Sequence, residues 1–309
     1  MSKLLEVKKL TKNYHDAPDS RDIIKDLDLT VNQGDFLCIL GPSGCGKTTL
    51  IRCIAGFEDY EGDILVDGVK VDKPGIDRIM VFQDFNQLFP WKTVKKNIQY
   101  PLKVNGLKDK AELERIAQEH LDMVGLSDKG DLYPHQLSGG MKQRVVIAMA
   151  LDCSPDLLLA DEPTTALDVT IQAQVLDIIK NLQNELNTAM LMITHDLGIV
   201  AEVCDNVAVV YAGEIVEYGS REEIFDHPTH PYTIGLFGSL PDIHSDVKRL
   251  SPIAGMPPDP SNLPSGCAFS PRCPYATDVC KKTAASLASL GGTHVCRCYK
   301  ALDTDANKA

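Results

Sequence analysis

The chain has 309 residues, of which 44% are hydrophobic and 24% charged, as is ordinary for a globular protein with a substantial core. Its formal net charge of −12 argues against a general nucleic-acid-binding protein, because such proteins present a basic surface to the phosphate backbone. No apolar run reaches the ~20 residues that a membrane span needs, and the first residues lack the apolar stretch of a signal peptide. Composition therefore predicts a cytosolic protein whose link to any membrane runs through a partner.

In chain order, the predicted elements alternate between short apolar strands and amphipathic helices. Strands are predicted at 4–10, 27–31, 36–40, 64–66, 79–82, 157–160, 189–193 and 207–211. Helices are predicted at 47–55, at 111–124 and at 170–186. A further helix is predicted after residues 137–143, ending at about residue 150. This order predicts an α/β fold with a mainly parallel sheet covered on both faces. The β-rich start of the chain predicts an additional antiparallel sheet. Residues 84–150 are predicted to form a helical subdomain.

A glycine-rich loop follows the strand at 36–40 and opens the next helix. It fits the pattern GxxxxGK followed by Ser or Thr, whose backbone amides wrap around a phosphate at a helix N-terminus. Lys47 is predicted to neutralise the β- and γ-phosphates of ATP, and Thr48 to offer its hydroxyl to Mg²⁺. The predicted phosphate-binding residues are Gly41, Pro42, Ser43, Gly44, Cys45, Gly46, Lys47, Thr48 and Thr49.

Two carboxylates, Asp161 and Glu162, end the apolar strand at 157–160. Asp161 is predicted to reach Mg²⁺ at the carboxyl edge of the sheet. Because side chains alternate along a strand, Glu162 points elsewhere and is predicted to act as the general base that activates the attacking water.

Between these motifs lies the heptad Leu-Ser-Gly-Gly-Met-Lys-Gln at 137–143. Ser138, Gly139 and Gly140 offer a hydroxyl and free amides before a helix, which serves either as a second anion-binding device or as a plain helix N-cap. In this order, the three motifs resemble the ATP-binding subunits of ABC transporters, over residues 4 to about 225. The resemblance implies a P-loop NTPase cassette in which Ser138, Gly139 and Gly140, with Gln143 nearby, bind the γ-phosphate held by a second cassette in a head-to-tail dimer.

The resemblance also assigns roles to single residues around the motifs. Gln83 corresponds to the glutamine that contacts Mg²⁺ and water and signals toward the permease. Asp168 corresponds to the D-loop aspartate, and His195 to the switch histidine that reaches the γ-phosphate. Tyr14 corresponds to the aromatic residue that stacks on adenine. We therefore expect Glu162, His195 and Gln83 to be the catalytic residues, and Thr48, Gln83 and Asp161 to be the Mg²⁺ ligands.

Composition changes beyond residue 226, where ten of the 18 prolines and five of the ten cysteines occur. We expect a cassette at 1–226, a proline- and cysteine-rich appendage at 227–300 and a disordered tail at 301–309. Cys267, Cys273, Cys280 and Cys296, with Cys298 as an alternate to Cys296, fit a four-iron, four-sulfur cluster, zinc, or thiols without a ligand. Some related peptide-importer subunits carry such a cluster. The other five cysteines are predicted to be small buried residues.

The resemblance points to two transporter groups in different parts of the chain. Residues 77–94 resemble nitrate, sulfonate and taurine importers. Residues 145–151, 160–174, 195–201 and the tail around 230–241 and 271–274 resemble oligopeptide, dipeptide and nickel importers. The longer match favours an ATPase that energises uptake of oligopeptides, dipeptides or nickel, with the nitrate, sulfonate or taurine group as the alternative. A soluble ABC ATPase and a small-molecule kinase remain as other classes.

The implied partners follow from the same resemblance. They are a second cassette, identical or different, integral membrane permease subunits and an extracytoplasmic substrate-binding protein, with no nucleic acid. The implied location is the cytoplasmic face of the cell membrane, to which the chain would attach through the permease.

Overall fold

A computed structural model of the chain describes residues 2–14, 22–83, 87–165, 167–239, 252–259 and 263–301. The strands across these ranges are β1 (Lys3–Lys12), β2 (Ile24–Asn32), β3 (Phe36–Leu40), β4 (Glu61–Val66), β5 (Val69–Lys70), β6 (Arg78–Val81), β7 (Leu157–Asp161), β8 (Ala189–Ile193), β9 (Asn206–Tyr211), β10 (Glu214–Ser220), β11 (Ala288–Gly291) and β12 (His294–Cys296). The α-helices are α1 (Lys47–Ala55), α2 (Val94–Val104), α3 (Lys110–Met123), α4 (Gly139–Leu151), α5 (Val169–Leu186), α6 (Leu197–Val203), α7 (Arg221–Asp226), α8 (Pro231–Phe237) and α9 (Asp278–Lys282).

The larger sheet has eight strands in the order β11-β12-β10-β9-β3-β8-β7-β6. Its run from β9 to β6 is parallel, as predicted. All residues of β3, β7 and β8 are buried, because both faces of these central strands are covered. The parallel strands end at the same edge of the sheet, so the loops after β3, β6, β7 and β8 meet there.

The smaller sheet is antiparallel, with the strand order β2-β1-β4-β5. It is the predicted antiparallel piece, and it packs with α1 and one face of the larger sheet in a shared hydrophobic core. Tyr14 lies just after β1, at the end of this sheet.

The predicted helical subdomain consists of α2, α3, a short 3-10 helix at Pro134–Gln136 and the start of α4. Asn97 is fully buried, and its amide nitrogen donates to the carbonyl oxygens of Phe89, Lys92 and Thr93. These bonds fix the loop that enters α2. Within the described ranges, none of the helices combines the length and apolar character that crossing a bilayer requires.

The C-terminal region is joined to the cassette by main-chain pairing. Strand β12 pairs antiparallel with β10, where Glu217 is opposite Cys296, and β11 then pairs with β12. The composition had indicated a loop-rich appendage, yet these two strands extend the cassette's own sheet. The expectation of a tail beginning at 301 is wrong at its first residue, because Ala301 is buried. Residues 302–309 lie outside the described residues.

Cys38 and Cys204 are buried, as predicted, but they are also paired with each other. Cys38 on β3 and Cys204 at the end of α6 form a disulfide, with their Cα atoms 6.0 Å apart. The pairing follows from the topology, because β3 lies beside β9 and Cys204 lies two residues before the start of β9. Their separation of 166 residues hides this proximity from the sequence.

Candidate functional site

The phosphate loop connects β3 to α1 with the geometry that its glycines permit. Gly44 and Gly46 have φ angles of 77° and 99°, in the left-handed region that side chains disfavour. Gly46 is the N-cap of α1, so the first amides of the helix open toward the loop. The loop therefore has the form of an anion-binding site at a helix N-terminus.

Lys47 is buried, and its ammonium group is held by the loop itself. Nζ donates to the carbonyl oxygens of Gly41 and Pro42, at 2.8 and 2.9 Å. An ammonium group has three N–H donors, so one donor remains for a phosphate oxygen. This arrangement places a positive charge within the curve of the loop.

Thr48 and Asp161 meet across the site. The Thr48 hydroxyl donates to the Asp161 carboxylate at 3.3 Å. Burial raises the pKa of Asp161, and the neighbouring Glu162 charge raises it further, while the Thr48 hydrogen bond lowers it. An oxygen pair of this kind is the ligand type that Mg²⁺ prefers. Thr48 and Asp161, two of the three residues predicted to bind the metal, are thus in contact, whereas Gln83 bonds to Glu162.

Glu162 gathers three side chains around its carboxylate. Gln83 Nε2 donates to Glu162 Oε2 at 3.2 Å, and the Thr165 hydroxyl donates to the same oxygen at 3.0 Å. His195 Nδ1 lies 3.5 Å from Oε1. Glu162 has a φ of 46°, so its side chain leaves the direction of β7 and turns toward this group. The structure therefore places the three predicted catalytic residues together.

One cavity of about 390 Å³ joins the phosphate loop to this group. Its lining residues are Ile23, Ser43, Gly44, Gly46, Lys47, Thr48, Thr49, Gln83 and Glu162. Two contributors were not predicted, namely Ile23 on its wall and Thr165 beside Glu162. Thr165 carried a weak signal, because a hydroxyl three residues after an acid at a strand end can turn back to it.

Tyr14 is placed apart from the predicted phosphate site. It is partly exposed, with the Lys12 ammonium 4.7 Å from its ring centroid. It lines a separate cavity with Thr11, Asn13 and Tyr60, among others. The residues 15–21 that follow it lie outside the described ranges, so its predicted stacking on adenine stays a prediction.

The heptad lies outside the cavity. Ser138 is exposed and caps α4 by accepting a hydrogen bond from the Met141 amide, and a Cβ at Gly140 would clash with Ile171. Gln143 does not share this exposed surface: it is 1% exposed, because most of α4 is covered by other elements. Its expected place near the phosphate-binding amides stays a prediction. Asp168 is exposed at the N-terminus of α5.

Four of the five C-terminal cysteines line one cavity of about 570 Å³, and these are Cys267, Cys273, Cys280 and Cys298. Burial raises the pKa values of Cys267 and Cys273, and the neighbouring thiols raise them further. Cys296 on β12 is instead fully buried and is not among the residues that line this cavity. Cys298, the predicted alternate to Cys296, therefore lines the cavity while Cys296 does not. Among the residues described, no three His, Cys, Asp or Glu side chains are grouped closely enough to hold a metal ion.

Two known family patterns match the chain. The family described as ABC transporter matches residues 24–165, and the oligopeptide/dipeptide transporter C-terminal region matches residues 216–280. The first match includes the phosphate loop, Gln83, the heptad and Glu162. The second includes Glu217 and the first three cysteines of the C-terminal group.

Curated relatives extend over nearly the whole chain. The oligopeptide transport ATP-binding protein OppD of Haemophilus influenzae is 42% identical, covering 91% of this chain and 92% of its own. The dipeptide transport ATP-binding protein DppD of Escherichia coli is 40% identical, covering 97% of both chains. These alignments cross the heptad, so the similarity to peptide-transport proteins includes the first half of the chain.

Solved structures show the same cassette fold. The dimeric, post-hydrolysis structure of the ATP-binding cassette MJ0796, bound to ADP and phosphate, has a TM-score of 0.65 and 30% identity. It covers 71% of this chain and 99% of that one. A structure of CbiO1 from Clostridium perfringens has a TM-score of 0.67 and 30% identity, covering 74% of this chain and 92% of that one. The expected family is therefore confirmed: the chain belongs to the ABC transporter family, as an ATP-binding protein with the oligopeptide/dipeptide transporter C-terminal region.

Proposed function

We propose that the chain hydrolyses ATP to energise the import of oligopeptides or dipeptides through a membrane permease. The observation that carries the hydrolytic part is the convergence of Gln83 and His195 on the Glu162 carboxylate, at one end of the cavity that holds Lys47 and Thr48. A phosphate bound by the loop would lie between a cation and a base, as hydrolysis requires.

In this proposal each side chain has its own task. Glu162 takes the proton from the water that attacks the γ-phosphorus, while the bond to the β–γ bridging oxygen breaks and ADP leaves. Gln83 holds that water through its amide, and His195 keeps the carboxylate oriented. Lys47 binds the phosphate oxygens. Thr48 and Asp161 would hold Mg²⁺, whose charge neutralises the phosphates.

A second cassette is part of the proposal. Ser138 and Gly139 are accessible at the N-terminus of α4 but lie outside the cavity of their own chain. A second anion-binding helix end therefore remains for the phosphate of a partner in a head-to-tail dimer. The dimeric state that the MJ0796 structure is described as having supports this arrangement.

The contact with the permease is proposed at an aromatic surface of the helical subdomain. Phe89 packs 5.5 Å from Trp91 and 4.6 Å from Tyr100, and Trp91 is 70% exposed. Exposed aromatic groups are enriched at the energetic centres of protein interfaces. Through this aromatic surface the chain would bind the permease and lie at the cytoplasmic face of the membrane. The complex would also contain an extracytoplasmic substrate-binding protein.

The substitution Glu162→Gln tests the hydrolytic assignment. It keeps the shape of the side chain but removes the base, so we expect ATP binding to persist while turnover falls roughly 10²- to 10⁴-fold. Fluorescent-nucleotide titration and phosphate release measure the two effects. Glu185→Gln, an exposed change on α5, serves as the matched control, and Lys47→Ala should lose binding itself. Undiminished turnover in the Glu162 variant would refute the assignment.

Transport is tested in the native organism. Replacing the chromosomal copy with the Glu162→Gln form should abolish uptake of labelled dipeptides and oligopeptides, while the Glu185→Gln form should sustain it. Nickel, nitrate and taurine uptake in the same strains tests the alternatives. Loss of one of those activities with peptide uptake intact would replace the peptide assignment.

We further propose that the C-terminal thiols hold a four-iron, four-sulfur cluster, with zinc as the alternative. Four thiols line one cavity, and four thiolates are the number and type of donor that either group uses. Because no three side chains of the described residues are grouped closely enough to hold a metal ion as they stand, binding would have to draw these thiols together. Anaerobic purification, iron, sulfide and zinc analysis, and the visible spectrum test the proposal. Cys298→Ser should lower the metal content, whereas Cys296→Ser, two residues earlier at the end of β12, should retain it. A colourless protein free of both metals would refute it.

A further inference from the structure

The C-terminal region forms one wall of a second cavity beside the phosphate loop. This cavity, of about 370 Å³, has Ser43, Gly44 and Cys45 on one side and Pro257, Pro258 and Leu263 on the other. Ile23, Ser43 and Gly44 line both this cavity and the candidate nucleotide cavity. The phosphate loop therefore lies between two cavities. The candidate nucleotide site is on one side of it, and the C-terminal segment that includes Pro257, Pro258 and Leu263 is on the other.

Arg272 holds that segment in place with one guanidinium group. Its Nε donates to the Ala254 carbonyl at 3.1 Å, and Nη2 donates to the Ile253 carbonyl at 3.3 Å. Its Nη1 donates to the Tyr211 hydroxyl at 3.4 Å. The rigid fork of a guanidinium group fixes the relative position of its acceptors. Arg272 thus connects the C-terminal segment to the end of β9.

Tyr211 carries this connection to the phosphate loop. It is 1% exposed, and its ring packs 4.7 Å from the ring of Tyr232 and 5.3 Å from that of Phe269, measured between centroids. The chain turns directly after it, and the Gly213 amide donates to the Cys45 carbonyl at 3.0 Å. A displacement of Tyr211 would therefore reach the backbone of the phosphate loop within two residues.

The loop is sensitive to such a displacement because it has little room behind it. A Cβ at Gly41 would clash with the Val210 carbonyl oxygen and approach Cys45 Sγ to 2.9 Å. The carbonyl oxygens of Gly41 and Pro42 also hold Lys47. The position of residues 210–213 thus affects the two groups that bind phosphate, namely the backbone amides of the phosphate loop and the Lys47 ammonium group.

We propose that Arg272 is a positioning residue for ATP binding, acting through Tyr211 and the 211–213 turn on the rear of the phosphate loop. The C-terminal region would then set the affinity of the cassette for ATP. The inference rests on the proposed ATP site. It concerns ground-state binding, because Glu162, Gln83 and His195 lie on the opposite side of the loop and do not share these contacts. Loss of the Arg272 hydrogen bonds should raise the KM for ATP and leave kcat near its wild-type value.

The test compares Arg272→Lys with Arg297→Lys. Arg297 also belongs to the C-terminal region and donates through Nε to a cassette carbonyl, that of Ile215 at 3.2 Å, but this contact is on β10. We expect Arg272→Lys to raise the Kd for a fluorescent ATP analogue and the KM for ATP roughly tenfold, the factor that one or two hydrogen bonds supply. The kcat should change less than twofold. Arg297→Lys should leave the Kd unchanged.

Tyr211→Phe keeps the ring and removes only the hydroxyl that accepts a hydrogen bond from Arg272. It therefore tests the proposal even if Arg272→Lys does not fold. We expect a two- to threefold rise in Kd, an effect on the order of half a hydrogen bond. Unchanged Kd in both variants, or an equal rise in Arg297→Lys, would overturn the inference. A wild-type protein that binds the analogue without hydrolysing ATP would instead contradict the proposed function and leave the Kd comparison valid.

Discussion

His195 and Glu162 lie close enough to act as one unit, since Nδ1 is 3.5 Å from Oε1. We expect His195→Ala to lower kcat about 100-fold, because the carboxylate loses a group that orients it. In a Glu162→Gln background the same change should cost little more, since residues that act together are not additive. Single-turnover hydrolysis of ATP is measured for the four proteins of this double-mutant cycle, namely the wild type, the two single variants and the double variant.

His227→Ala is the matched control for that cycle, since His227 is exposed after α7 and away from the cavity. It should leave kcat unchanged in both backgrounds. Full additivity of the His195 and Glu162 losses would show that the two side chains act independently and contradict their assignment to one unit.

At the same scale, residue identity was predictable where a motif dictates chemistry. Lys47, Thr48, Asp161 and Glu162 follow from short patterns in their strand and helix context. In the structure Thr48 bonds to Asp161, and Lys47, Thr48 and Glu162 line one cavity. Gln143 could not be placed in this way. Its burial depends on which elements cover α4, and that is a property of the tertiary fold.

Helix α8 begins at a buried titratable N-cap. His230 is 1% exposed, and its Nδ1 accepts a hydrogen bond from the Tyr232 amide at 3.1 Å, so the neutral ring carries its proton on Nε2. Burial lowers the pKa of His230 to about 4. The unfolded chain, with an ordinary histidine pKa of about 6.5, binds this proton first. Stability contributed by neutral His230 is therefore complete above that pH and is lost as pH falls toward 4.

Between pH 7 and pH 5 we expect this histidine to lower the free energy of unfolding by about 2 kcal/mol. His230→Asn retains a capping acceptor but does not titrate, so it should remove that part of the pH dependence. Urea unfolding at the two pH values measures the effect. His227→Asn is the control on an exposed histidine and should retain it. An unaltered pH dependence in the His230 variant would contradict the assignment.

Among the elements, those with a strong apolar run or helical period were predictable. The helix predicted at 111–124 is observed at Lys110–Met123, and the strand predicted at 36–40 is Phe36–Leu40. Strands β11 and β12 were missed, because they have only four and three residues and no long alternation. They exist because the free edge of β10 offers backbone partners, a long-range cause that a local pattern does not contain.

At the scale of the whole molecule, the C-terminal region completes the cassette. Glu217 on β10 is fully buried, and its carboxylate accepts from the Thr229 amide at 2.7 Å and the His230 amide at 3.1 Å, and pairs with His294 Nε2 at 2.8 Å. All three partners come from beyond residue 226, the boundary that composition indicated. The cassette alone would thus leave this carboxylate without its three partners.

A chain that ends at residue 226 should therefore be less stable by roughly 3–5 kcal/mol, since three hydrogen bonds to a carboxylate contribute about 1–2 kcal/mol each. It should also associate through the exposed edge of β10. Size-exclusion chromatography and thermal unfolding measure both effects, with a chain ending at residue 301 as the control. Glu217→Val in the shortened chain should recover part of the lost stability, because it removes the unpaired carboxylate. A monomeric 1–226 chain with the Tm of the control would show that the cassette is complete without its C-terminal strands.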